Sequence, residues 1–130
     1  MAHSTQAFRG GTATLNDRSL LALVALLRRL EEREPDARLS AIVAAWYRAA
    51  EVSGPGMIDL TLDTLLTDDA AADFLAERLR RVAQEAGDVV PGAELNGAAL
   101  PTGIVFSDFP ADALREGIDA LLALIARDGR

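Results

Sequence analysis

The chain has 130 residues, half of them apolar, with no cysteine and a net charge of −7. This length fits one domain able to bury a core without staples, and the missing cysteine removes disulfides, thiol nucleophiles and cysteine metal sites together. The 13 basic residues are all arginine, and the charge is uneven: residues 1–50 carry seven arginines and five acids, residues 51–130 six arginines and fifteen acids. That balance opposes a nucleic-acid surface, which needs clustered positive charge, and favours a basic partner or none, the acids then serving as a solvated face.

Residues 1–14, with Gly10-Gly11, several Ser and Thr and no periodicity, read as a flexible N-terminal arm. His3, the only histidine, lies in it with nothing to fix its position, which makes it a poor general base. The opening residues lack a basic flank and an apolar h-region, so the expected location is cytoplasmic. The remainder, 15–130, reads as a single helical domain.

Asn16 or Asp17 is a suitable N-cap for a first helix over 17–33. Leu20, Leu23, Val24, Leu27 and Leu30 form one face, and Leu21 and Leu26 widen it until only Ala22 and Ala25 remain on the back. A helix this apolar belongs at the centre of the fold, while Arg18 and Arg28-Arg29 make the uncharged run too short for a membrane span. Pro35 ends it, and a second helix over 36–52 carries Leu39, Ile42, Val43, Trp46 and Ala50 on one stripe, folding back as an antiparallel pair. Ser53-Gly54-Pro55-Gly56 stops that helix.

Residues 57–66 fit two patterns. Ile58, Leu60 and Leu62 alternate as in a strand, with Ile104-Val105-Phe106 as the available partner, whereas Ile58, Leu62, Leu65 and Leu66 follow helical spacing, the preferred reading. A helix over 68–86, capped by Thr67, carries Ala71, Phe74, Leu75, Leu79, Val82 and Ala86 on its apolar stripe. Arg78 interrupts this stripe and must either reach the edge or meet a carboxylate, Asp59 or Asp63 being the candidates. Residues 87–108 form a long loop too apolar for a free linker, expected to pack across the helices or on a second copy. A last helix over 109–127, capped by Ser107 or Asp108 and ended at Asp128-Gly129, carries Leu114, Ile118, Leu121, Leu122 and Ile125. Gly117, on the same side, marks a close helix crossing, with Trp46 as a candidate neighbour.

The expected fold is therefore an all-α, single-domain bundle of four main helices. No P-loop, dinucleotide fingerprint or zinc spacing is present, so neither a cofactor nor a metal is expected. Asp68-Asp69-Ala70-Ala71-Ala72-Asp73 resembles an aspartate-rich magnesium site only weakly, since no second motif faces it and acids at a helix start serve the dipole. Asp112, Glu116 and Asp119 read as solvent face, and Ser19, Ser40, Ser53 and Ser107 lack a histidine partner. A helix-turn-helix over 17–52 would present Arg28, Arg29, Arg33, Arg38 and Arg48, but Glu31, Glu32, Glu34 and Asp36 lie among them.

The functional expectation is a non-enzymatic protein acting through protein–protein contact, in its specific form an inhibitor or immunity-type protein masking a basic partner. The masking face is Glu51, Asp59, Asp63, Asp68, Asp69 and Asp73. A homodimer is expected from apolar outer residues Leu21, Ala120, Ala123 and Leu124. The alternative is a small-molecule-binding bundle whose cavity is lined by Trp46, Tyr47, Phe74 and Arg78.

Overall fold

A computed structural model describes residues 2–126, and the expected helix stop at Asp128-Gly129 lies outside them. The fold is mixed α/β, with six helices and two small antiparallel strand pairs, which overturns the all-α four-helix bundle. None of the described helices is long and apolar enough to cross a membrane.

The largest correction is at the start. Residues 1–14 contain most of a hairpin, β1 (His3–Phe8) paired with β2 (Gly11–Asn16), rather than a loose arm. Arg9 and Gly10 form its two-residue turn, both at positive φ (49° and 84°), the twist that suits a tight hairpin. The strand escapes an apolar pattern because two of its three inward side chains, Ser4 and Gln6, are polar.

Those two groups are used by residues 56–60. Gln6 Nε2 donates to the Ile58 carbonyl at 2.7 Å, and its Oε1 accepts from the Leu60 N–H at 2.8 Å. Ser4 Oγ donates to Asp17 Oδ1 at 2.6 Å and accepts from the Ile58 N–H at 3.1 Å, while Asp17 Oδ2 accepts from the Gly56 N–H at 2.8 Å. The 57–66 stretch is thus neither one strand nor one helix. It runs without regular secondary structure to Thr61, which adopts φ 51°, and then makes the single turn α3 (Leu62–Leu65). Side-chain amide and hydroxyl groups replace the partner strand that Ile104-Val105-Phe106 was expected to supply.

Helix α1 (Asp17–Arg33) is capped by the Asn16 carboxamide, which accepts from the Arg18 and Ser19 N–H groups. Leu20, Leu23, Val24, Ala25, Leu27 and Leu30 are wholly enclosed, and the helix packs on α2 (Ala37–Val52), α4 (Asp69–Glu85), α5 (Gly92–Asn96) and α6 (Ala111–Ile125). It is the central element, as its apolar circumference implies. Asp36 caps α2, and Trp46 is buried with its indole N–H donated to the Leu60 carbonyl at 3.0 Å. The α4 cap is Asp68 rather than Thr67.

Residues 87–108 are pinned on the chain's own helices. Within the segment, β3 (Val89–Val90) leads into α5, and β3 pairs with β4 (Phe109–Pro110) directly before α6. Tyr47 donates to the Ala98 carbonyl, Arg29 to the Gly97 carbonyl and Arg115 to the Gly87 carbonyl. Neither Ser107 nor Asp108 caps α6, whose N-cap position is Pro110; Asp108 instead accepts from the Gly92 N–H at 2.9 Å. Gly117 does mark a close crossing, but against Ser19 and Leu15 rather than Trp46. Leu21 and Leu124, read as outer apolar residues, belong to the chain's own core.

Candidate functional site

All six acids of the expected masking face are exposed, but the fold divides them. Asp68 spends a carboxylate oxygen on the Ala71 N–H and Asp59 one on the Thr61 N–H, both at 2.8 Å, as short acids do at caps and turns. Asp63 accepts from the Arg9 N–H at 3.0 Å, and the Arg9 guanidinium meets Asp69 at 2.8 Å. The hairpin turn therefore lands on the acidic run and neutralises part of it, a contact across more than fifty residues of chain that no local spacing signals. Glu51 and Asp73 make no hydrogen bond or ion pair among the described residues.

The surface beside Glu51 differs in kind. Val52 and Met57, which bracket the Ser53–Gly56 turn, are 69% and 73% exposed. The turn is closed by the Met57 N–H on the Gly54 carbonyl at 3.1 Å and tied to α1 through Gly56 and Asp17. It borders an open cleft of about 720 Å³ whose apolar lining includes Leu21, Ala50, Ile58 and Ile104, with Glu51 and Arg18 among its charged residues. Arg18 stacks over the Phe106 ring at 5.2 Å and forms no ion pair among the described residues. Two exposed aliphatic side chains on an anchored turn, flanked by Glu51 and Asp59, make a surface suited to burial by another molecule.

The four residues of the alternative cavity are placed differently. Trp46 is enclosed, and Tyr47 bonds the Ala98 carbonyl at 2.5 Å with the Arg28 guanidinium 5.9 Å from its ring. Burial, the largest influence, pushes the Tyr47 phenol up to about 12. Phe74 carries two guanidinium groups, Arg38 at 4.1 Å and Arg78 at 4.4 Å from its ring centre. Arg78 pairs with Glu77, not with Asp59 or Asp63, and its Nε is buried without a partner. None of the four lines the cleft beside Glu51.

Ser40 donates to Glu31 at 2.6 Å, while Asp112, Glu116 and Asp119 are exposed along α6. His3 stands in β1 and shares a groove with Ser19 and Glu116, but no hydrogen bond joins the three. Among the helix-turn-helix arginines, Arg28, Arg29 and Arg33 are paired with Glu31, Glu32, Glu94 and Glu85. No group of three or more acids and histidines suited to hold a metal occurs among the described residues. Compared with protein-family models, curated proteins and solved structures, the chain matches none of them.

Proposed function

We propose that this protein is a non-enzymatic interaction domain that binds a basic protein partner through the surface formed by Glu51, Val52, Met57 and Asp59. The observation that carries this reading is the pair of exposed aliphatic residues, Val52 and Met57, in a stretch without a basic residue between Arg48 and Arg78. Aliphatic contacts supply affinity when covered, and the surrounding acids select a partner of opposite charge and speed its approach. The specific form of this role is the masking of a basic surface, as an inhibitor or immunity-type protein does.

The test is affinity capture from the source cell with wild-type protein and with a Glu51→Lys/Met57→Asp double variant. A basic protein retained by wild type, released by high salt and absent from the variant supports the reading. Equal retention by both rejects it. Thermal stabilisation by apolar acids or nucleotides, without protein capture, would transfer the function to the adjoining cleft.

A further inference from the structure

The hairpin leaves one strand edge open. With Phe8 and Gly11 flanking the two-residue turn, Gly11, Ala13 and Leu15 direct their backbone groups towards β1, and the antiparallel alternation sends those of Thr12 and Thr14 outward. The Asp17 N–H on the Ala2 carbonyl at 3.0 Å continues the same alternation. Thr12 and Thr14 are exposed, and no other described element bonds to their backbone. The β1 side is occupied: Gly56 lies against the His3 carbonyl, Arg9 reaches Asp63, and α3 packs on the strand.

Protein surfaces guard such edges with charge, proline, a bulge or a covering element. β2 has no charged residue, no proline and an unbroken register, and although α6 packs beside it, no described backbone group bonds to Thr12 or Thr14. In a chain of net charge −7 the neutral run Gly10–Asn16 is also where two copies can approach without opposing like charges. Beside this edge runs a groove of about 500 Å³ with Leu15, Phe109, Ala113 and Ala120 in its lining and the charged residues Arg18 and Glu116 at its side. Stable interfaces bury on the order of 1,200 Å² or more, beyond what a short strand edge covers, and this groove adds apolar area next to it.

We infer that a second copy of this chain pairs with the β2 edge. The two β2 strands run antiparallel about a two-fold axis at Ala13, with Thr12 of each copy opposite Thr14 of the other and both N–H···O=C bonds exchanged in each pair. The result is a continuous sheet in the order β1–β2–β2–β1, an isologous contact that closes on itself.

Light scattering over a concentration series tests the pairing. Wild type is expected at twice the 13.8 kDa chain mass and Thr12→Lys, which charges the edge, at the monomer mass with an unchanged circular dichroism spectrum. If Thr12→Lys fails to fold, Thr14→Lys probes the same edge. A wild-type monomer at every concentration, or a dimer that the folded lysine variant leaves intact, overturns the inference.

Discussion

The Asn96 carboxamide holds both backbone groups of Phe106: Nδ2 donates to the carbonyl and Oδ1 accepts from the N–H, each at 2.8 Å. A side chain here does the work of a neighbouring strand, and it seats Phe106, edge-on to Phe109 at 5.9 Å, in the core. Asn96→Ala removes both bonds at an exposed position where water can replace part of them. The expected loss is about 1–2 kcal/mol, read from the midpoint of urea unfolding.

Gln6 makes the same double bond to Ile58 and Leu60, but it is wholly buried. Gln6→Leu strands a carbonyl and an N–H away from water, so the expected cost is roughly 2–5 kcal/mol, above that of Asn96→Ala. Gln6→Glu adds a sign test. An ionised carboxylate has no donor for the Ile58 carbonyl, whereas the protonated acid restores one. Burial raises the folded-state pKa of that carboxyl, so the native state binds the extra proton and the variant regains stability as pH falls. A variant whose deficit against wild type stays constant from neutral to mildly acid pH would count against this geometry.

These two amides also show where the sequence could be read and where it could not. α1, α2, α4 and α6 follow apolar periodicity, and Asn16 and the central Leu20–Leu27 run sit where that pattern puts them. Periodicity needs apolar residues facing inward, and β1 turns Ser4 and Gln6 inward, with their value set by backbone groups more than fifty residues away. Gly10-Gly11 gives the same local signal for a loose arm as for a tight turn. The acidic face was legible as composition, yet the pairing of Asp63 and Asp69 with Arg9 depends on where the hairpin lands. Val52 and Met57 differ from core aliphatics only in exposure, which spacing does not encode.

Two glycines give opposite expectations for the same substitution. A Cβ at Gly92 would stand 2.6 Å from the Phe106 carbonyl oxygen, which the Asn96 amide holds, and 2.8 Å from the Ser107 carbonyl carbon. Gly92→Ala is therefore expected to lose at least about 2 kcal/mol, in the range of overpacked cores. At Gly117 the nearest atoms are Ser19 Cβ at 3.3 Å and Leu15 Cδ2 at 3.6 Å, so a shift of a few tenths of an ångström relieves the contact. The gain of about 1 kcal/mol in helix propensity offsets that shift, and Gly117→Ala should unfold within roughly 1 kcal/mol of wild type. Parallel denaturant curves for the two variants check both values, and equal losses would overturn the contrast between the two sites.

Tyr47 is the chain's single tyrosine, so phenolate absorbance during an alkaline titration reports this residue alone. Its hydroxyl is half-buried against the Ala98 carbonyl, which accepts a proton donor but repels a phenolate. Burial is the largest cause of the rise, with Glu32 and Glu31 adding to it and Arg28 opposing it, and the folded-state value is about 12 against an ordinary 10. Because the native state holds the proton longer than the unfolded chain does, stability falls as pH rises from about 10 towards 12. Tyr47→Phe removes this alkaline loss while giving up one hydrogen bond, about 1 kcal/mol, at neutral pH. The stability curves of wild type and variant should therefore converge above pH 10, and a phenol midpoint at its ordinary value would show that the contact to Ala98 does not persist in solution.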